Sequence, residues 1–305
     1  MLGLVTAVVA APLDPDLKPL EAAMVARLGV DAVRIVAWDD IAVDWSEFDA
    51  VVIRSTWDYT DRLDEFIEWV AMVDSATTLI NRADLVRWST DKRYLAELAA
   101  EGIAITPTVF VAPGERAPRV SGLHVVKPTV GAGSSGARRC EEHEVDAHVA
   151  VLHAEGRTAM VQPYLDRLDE LGESALCFVT EPNGEPRLSH AFRKGAILVS
   201  TDVEQTGDLF ATEQIDPRTA SADELELARR VLATDVVRSL GTPMFARVDV
   251  APSRDVDGNE SFVLMEFELV EPSFYFATDP ATVDTFADVL VEWLGSPPVP
   301  AAGSN

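Results

Sequence analysis

Apolar positions in the first ninety residues fall into short unbroken runs separated by stretches of helical period. Leu4 to Ala10 reads as a buried strand, Leu17 to Leu28 as an amphipathic helix ended by Gly29, Ala32 to Val36 as a second strand, and Ala50 to Ile53 as a third. A helix over Leu63 to Val73 follows, and Leu79 to Val86 closes the unit. Strands alternating with helices predict a small parallel sheet, in which ligand groups gather at strand C-terminal ends. Arg54, Ser55, Thr56 and Asp58 stand at such an end. They suit an amino-acid-like substrate, although an Asp/Thr-capped helix start would carry the same residues.

Further on, Ser89-Thr90-Asp91-Lys92 opens a predicted helix through Ala100, with Lys92 in its first turn, where a positive helix end repels it unless an anion is near. Ile105 to Val111 reads as an edge strand. Leu123 to Lys127 is a strand that feeds Gly131-Ala132-Gly133-Ser134-Ser135-Gly136. After a helix near Glu144 to His153, Met160 to Leu165 is a short strand or linker broken by Pro163. Residues 174–180 and 186–192 flank a hairpin turn, the polar stretch 200–214 is a candidate lid, and 222–240 reads as one long amphipathic helix. Met244 to Ala251 and Ser261 to Val270 are strands joined by a turn over residues 255–259.

The glycine stretch is built to meet phosphate, since small residues let backbone N–H groups converge on an anion and Lys127 adds a point charge. It is not a Walker loop. It spells GxGxxG, but Arg138, Arg139, Glu141 and Glu142 follow where a dinucleotide site needs an apolar helix, so an NAD-type oxidoreductase is the weaker reading. A plain surface loop would also match so short a motif.

Glu266 and Glu268 are two apart on a predicted strand and leave the same face, as Arg247 and Asp249 do on its partner. Two like charges 4 Å apart repel by about 4 kcal/mol at an effective dielectric of 20, so a site holding three carboxylates needs cations or protons. Oxygen-only ligands without Cys or His select Mg²⁺ or Mn²⁺ over zinc. A solvent-facing polar stripe would show the same alternation.

A formal charge of -26 argues against nucleic-acid and anionic-membrane partners, because no excess of Lys and Arg is available to neutralise phosphates. The chain's 2 cysteines, Cys140 and Cys177, exclude a disulfide framework, and a cytoplasmic setting is expected. The apolar start of the chain lacks the positive region of a signal peptide. His124, His153 and His190 are expected to be structural, and no Ser/His/Asp or Cys/His arrangement is evident.

In order and spacing, Lys92, Lys127, the small-residue loop, Gln162, Asp249, Glu266 and Glu268 resemble the ATP-grasp ligases, in particular the glutathione synthetase-like branch, over about residues 50 to 280. The resemblance implies an α/β (α+β) ATP-grasp fold with three units. These are a Rossmann-like pre-ATP-grasp domain over 1–88, a small subdomain with the glycine-rich loop over 89–165, and a C-terminal subdomain with the metal site over 166–305. By the same resemblance Lys92 and Lys127 hold ATP phosphates, and Gly131, Gly133, Ser134, Ser135 and Gly136 close over them. Gln162, Tyr164 and Leu165 hold adenine, Arg193 stands near the γ-phosphate and the acyl phosphate, and Asp249, Glu266 and Glu268 bind two Mg²⁺. Arg247 joins Arg193 and Lys127 as a catalytic candidate. Glu268 stands where the family often has Asn, and Pro163 where it usually has Glu.

The Arg54 to Tyr59 segment and Glu271-Pro272-Ser273-Phe274 are similar to those of bacterial relatives that include the cycloserine-forming cyclo-ligase of O-ureidoserine, which adds Ser273 to the substrate candidates. The implied reaction is ATP-dependent and ADP-forming: an acyl oxygen of an amino-acid-like substrate is activated by the γ-phosphoryl group and an amine attacks. A cyclo-ligase and a nucleotide-binding module without turnover are the alternatives, and the three carboxylates argue for turnover. Homo-oligomer formation is left open.

Overall fold

The computed structural model describes residues 1–195, 214–254 and 257–295. The candidate lid over 200–214 lies, apart from Gln214, outside the described residues, as do positions 255 and 256 of the expected turn.

A first, wholly parallel sheet holds β1 (Leu2–Thr6), β2 (Val33–Ala37), β3 (Ala50–Ser55) and β4 (Thr78–Ile80) in the order β2-β1-β3-β4, with α1 (Leu17–Leu28) and α2 (Leu63–Ala76) in the crossovers. β1 starts and ends earlier than the apolar run suggests. Ala10 and Ala11 donate their N–H groups back to the Ala7 carbonyl, so the run leaves the sheet as a turn. The segment 79–86 divides into β4 and α3 (Ala83–Ser89), and α4 (Tyr94–Ala100) begins two residues after Lys92. Lys92 therefore stands in the turn that leads into the helix, its carbonyl accepting from the Leu95 N–H, rather than in the helix itself. Its backbone N–H is donated to the Thr129 carbonyl, which sets it beside the glycine loop.

A second sheet, order β5-β8-β6-β7, is antiparallel: β5 (Val109–Val111), β6 (His124–Pro128), β7 (Arg138–Cys140) and β8 (Ala159–Pro163), with α5 (Val145–Ala154) on one face. β5 is its edge, as the proline-flanked run suggests, and a strand rather than a helix follows Gly136.

The third sheet, order β11-β10-β9-β12-β13, carries the acidic strands. A short α6 (Leu168–Leu171) leads into β9 (Glu173–Thr180), which pairs with β10 (Pro186–Lys194) and with β12 (Phe245–Arg254); β11 (Ile215–Arg218) and β13 (Glu260–Glu268) are its edges. Between β11 and β12 the expected single helix is two, α7 (Ala222–Leu232) and α8 (Asp235–Leu240). The break is explained by Glu101, whose carboxylate accepts the Asp235 and Val236 N–H groups at 2.6 and 2.8 Å and so begins a new helix there.

The two faces of this sheet enter different cores. Ala175, Cys177, Val179, Phe192 and Phe245 pack with α1 and the C-terminal helix α9 (Thr282–Gly295), whereas Leu176, Phe178, Ala191, Val248, Val250, Leu264 and Phe267 pack with α4 and α7. Buried Asn81 links the first sheet to the third, donating to the Phe245 and Leu269 carbonyls and accepting from the Met244 N–H. Among the described residues no helix is long and apolar enough to cross a membrane.

Candidate active site

Strand register brings the acidic residues together. Asp249 pairs with Glu266 and Arg247 with Glu268 across β12 and β13, and a bulge between Asp249 and Val250 places one extra residue, Met265, opposite that step. The bulge changes the phase of β13: Leu264 and Phe267 enter the second core, and Glu266 and Glu268 point the other way with Asp249. One carboxylate oxygen from each of Asp249, Glu266 and Glu268 lies within 4.8 Å of the others.

Cations surround this triple. Lys127 Nζ donates to Glu266 at 2.9 Å, Lys92 lies 3.9 Å from the same carboxylate, and Lys194 Nζ is 2.7 Å from Asp249 and also pairs with Glu173. Arg247 donates both Nε and a terminal nitrogen to Asp249 at 2.8 Å and reaches Glu268 at 2.6 Å. Burial alone would raise the Glu266 carboxyl, but Lys127, Lys92 and Lys194 outweigh it and hold the group well below its ordinary range. Asp249 is likewise lowered, Arg247 and Lys194 overcoming burial. Burial pushes Glu268 up to about 7, with Asp249 and Glu266 adding to the rise and Arg247 opposing it. These oxygen donors, rigidly spaced and charge-balanced by side chains that a divalent ion can replace, fit Mg²⁺ or Mn²⁺.

Glu266 and Glu268 of the triple line a cavity of about 460 Å³, with Asp249 fully buried behind them. On one side lies the glycine loop, where Gly133 and Ser134 take positive φ of 56° and 62°. A Cβ at Gly136 would stand 3.3 Å from Pro128 Cδ at a φ of 72°, so glycine is required there. Lys92 Nζ donates to the Gly131 carbonyl at 2.7 Å, and an Arg157 terminal nitrogen donates to the Val130 carbonyl at 2.9 Å. Gly131, Gly133, Ser134 and Ser135 line the cavity, and Gly136, expected among them, does not: it lies against Pro128 and Arg157. Gln162, Tyr164 and Leu165 line the same cavity. Gln162 is fixed by donating to Thr108 Oγ1 at 2.8 Å, and the Tyr164 hydroxyl donates to Asp169.

Two groups of expected site residues lie elsewhere. Arg193 is turned away from the cavity and closes α6, donating to the Leu171 carbonyl at 2.6 Å and the Glu170 carbonyl at 3.1 Å. Successive residues of a strand leave opposite faces, and the carboxylates lie on the face of Phe192, so Lys194 takes the position expected of Arg193. Arg54, Ser55, Thr56 and Asp58 do not line the cavity either. Arg54 is 1 % exposed, with its guanidinium 5.6 to 5.7 Å from the Phe245, Phe274 and Phe286 ring centres. Ser55 hydrogen-bonds Thr6, Thr56 is fully buried, and Asp58 accepts from Trp38 Nε1 and pairs with Arg62. The aromatic residues between them, Trp57 and Tyr59, face the cavity instead.

Opposite those rings runs the segment 271–276, from which Glu271, Ser273 and Tyr275 line the cavity. Its backbone is held from four directions. Arg54 donates to the Pro272 carbonyl, Arg247 to that of Ser273, and His190 Nε2 to that of Phe274, at 3.1, 3.0 and 2.6 Å. Asp16, 1 % exposed, accepts the N–H groups of Phe274, Tyr275 and Phe276 at 2.7, 2.7 and 2.8 Å. Tyr275 is thereby kept in the left-handed region at φ 48°.

Comparison with known proteins shows the family of the chain. Residues 2–81 match the family described as the N-terminal domain of the D-cycloserine synthetase DcsG. Over 310 aligned residues the chain is 36% identical to the cycloserine biosynthesis protein DcsG of Streptomyces lavendulae, covering 96% of this chain and 99% of that one. The crystal structure of D-cycloserine synthetase DcsG superposes with a TM-score of 0.82 at 35% identity, covering 96% of this chain and 99% of the other. A D-alanine–D-alanine ligase of Bacillus anthracis shares the fold alone, with a TM-score of 0.62 at 16% identity and 96% of each chain covered. With convergent lysines, a glycine loop and three clustered carboxylates on a scaffold whose fold is that of ATP-grasp proteins, the chain belongs to the family of the D-cycloserine synthetase DcsG.

Proposed function

We propose that the protein is an ADP-forming cyclo-ligase of the cytoplasm: it activates the carboxylate of an O-ureidoserine-like amino acid as an acyl phosphate, and a nitrogen of the same molecule attacks. The observation that carries this reading is the meeting of Lys92, Lys127, Lys194 and Arg247 with Asp249, Glu266 and Glu268 beside the glycine loop. Whole-length similarity to DcsG favours cyclisation over joining two molecules.

In this reading the units 89–165 and 166–305 grip the nucleotide. Gln162, Tyr164 and Leu165 bound the base, and the loop and the three lysines neutralise the triphosphate. Asp249, Glu266 and Glu268 would hold Mg²⁺, whose charge offsets that of the transferring phosphoryl group. Arg247 shields the substrate carboxylate from the acidic triple and stabilises charge on the acyl oxygen. Catalysis is then positioning and charge neutralisation.

The test is to supply O-ureidoserine labelled with ¹⁸O in its carboxylate, together with ATP and Mg²⁺. ADP, labelled inorganic phosphate and a cyclic product are expected. AMP and pyrophosphate, or label confined to the organic product, would overturn the acyl-phosphate route. A linear dipeptide-like product would overturn cyclisation.

A further inference from the structure

Glu271 is the acidic residue of the cavity that the reading above does not use. It is 8 % exposed and lines the cavity next to Ser273 and Tyr275. The other carboxylates there are all matched by cations: Glu266 by Lys127 and Lys92, Glu173 and Asp249 by Lys194, and Glu268 by Arg247. Among the described residues Glu271 has the Tyr59 hydroxyl as its hydrogen-bond donor and no lysine or arginine at ion-pair distance. A carboxylate removed from water without a cation is costly unless a ligand supplies one. Burial and the nearby Glu268 push the carboxyl up to about 8, with the more distant charges of Lys92 and Arg247 opposing the rise.

Its surroundings favour a cation of a particular kind. Trp57, Tyr59 and Tyr275 line the same cavity, Tyr59 in contact with Glu271, and aromatic faces attract ammonium groups. The four basic side chains meanwhile make the neighbouring part suited to phosphate and carboxylate. A zwitterionic amino acid matches this polarity, with its carboxylate toward Arg247 and its amine toward Glu271.

We propose that Glu271, with the Tyr59 hydroxyl, is the subsite that binds the α-ammonium group of the amino-acid substrate. This rests on the amino-acid reading of the site. It makes Glu271 a specificity determinant for the amine and assigns it no part in nucleotide binding. On binding, the substrate ammonium forms an ion pair with the ionised carboxylate, and any proton the carboxyl carried is released to solvent.

The test measures binding by calorimetry in the presence of Mg²⁺ and a non-hydrolysable ATP analogue. The ligands are O-ureidoserine, D-serine and D-alanine, each against its counterpart lacking the α-amine. For the wild type, amine-bearing ligands are expected to bind at least 10-fold more tightly than their counterparts. Glu271→Gln should remove most of that preference by weakening only the amine-bearing member, with affinity for the nucleotide analogue kept within 2-fold. Tyr59→Phe, which retains the ring, should reduce the preference partly and serves if the glutamine variant does not fold. Equal weakening of both members of a pair, or an unchanged preference, would overturn the subsite. Failure of the wild type to bind any of these ligands while binding the nucleotide would overturn the amino-acid reading, and the subsite with it. Failure to bind the nucleotide would overturn the ligase reading itself.

Discussion

Asp16 offers the sharpest test of how the substrate side of the cavity is kept in shape. Its carboxylate accepts three backbone N–H groups, those of Phe274 and Tyr275 on Oδ2 and that of Phe276 on Oδ1. In Asp16→Ala all three donors lose their acceptor in a place water does not reach. Each unsatisfied buried N–H costs about 1–3 kcal/mol, and the losses are coupled, so a total of about 3–6 kcal/mol is expected. That is a large share of the roughly 5–15 kcal/mol by which folded domains are stable. Asp16→Asn is the finer probe. Its amide oxygen can occupy the Oδ2 position and keep two bonds, while its NH₂ group meets the Phe276 N–H and one bond is lost, at about 1–3 kcal/mol.

At about 2 °C per kcal/mol for a chain of this size, Asn should lower the apparent melting temperature by roughly 2–6 °C and Ala by about twice that. Function should respond on one side only. Segment 271–276 supplies Glu271, Ser273 and Tyr275 to the cavity, whereas the groups proposed to bind the nucleotide lie on the loop and at the end of β8. Scanning calorimetry and steady-state kinetics on Asp16→Asn should thus show a raised KM for the amino acid with KM for ATP nearly unchanged. A melting temperature within 1 °C of the wild type and both KM values unchanged would refute the argument that these bonds hold the segment.

Other outcomes follow from the same geometry. Lys194→Met should reduce kcat by about 10²-fold or more, as loss of a charge on the transferring phosphoryl group commonly does, whereas Arg193→Met should leave kcat within a few-fold; the reverse order would restore Arg193 to the site. Glu268→Gln should raise the melting temperature of the metal-free protein by relieving crowding with Asp249 and Glu266, and shrink the further rise produced by Mg²⁺; an unchanged Mg²⁺ effect would remove Glu268 from the metal set. Glu271 gives a pH signature, because its carboxyl titrates from 4.5 in the unfolded chain but at about 8 in the fold. Between those values the unfolded state releases a proton that the native state keeps, so stability is lost as pH rises across this window. Glu271→Gln should therefore match the wild type in thermal unfolding near pH 4.5 and become progressively more stable than it up to about pH 8, and a difference constant with pH would exclude a titrating Glu271.

The pairing of the acidic triple with lysines and arginine bears on how the site can exist before its ligands arrive. Three carboxylates within 4.8 Å would repel one another strongly in so sheltered a place. Basic side chains cancel that repulsion: Lys127 rests on Glu266 and Lys194 on Asp249. In the proposed reading a magnesium nucleotide would supply both a cation for the carboxylates and an anion for the lysines, so that each pair would be exchanged rather than broken. Glu268, with its carboxyl raised to about 7, is the least compensated of the three.

How much of this was legible in the sequence depends on parity and on range. Glu266 and Glu268 are two apart on a strand, and that spacing alone puts them on one face, as the structure has it. Lys127 and the glycine loop stand out through a strand end and small residues, which are local signals, whereas Gln162 was singled out by the family resemblance; all line the one cavity. Arg193 and Lys194 are not separable that way, because Ala191 and Phe192 before them are both apolar and both buried, each in a different core, so hydrophobicity does not reveal which of the two basic residues faces the carboxylates. The segment Arg54 to Asp58 misled for a related reason. Polar residues at a strand end suggest a ligand, yet Arg54 is held by a carbonyl 218 positions away and by three aromatic rings, and no local pattern encodes contacts of that range. Asp16 was silent in the same way: its partners lie 258 to 260 residues on, brought to it where α9 packs back against α1. Glu271 is the exception among the distant contributors. It sits three residues after Glu268 in the Glu271-Pro272-Ser273-Phe274 stretch that already stood out, and an acidic residue so close in sequence to Glu266 and Glu268 is a local signal that it lines the same cavity.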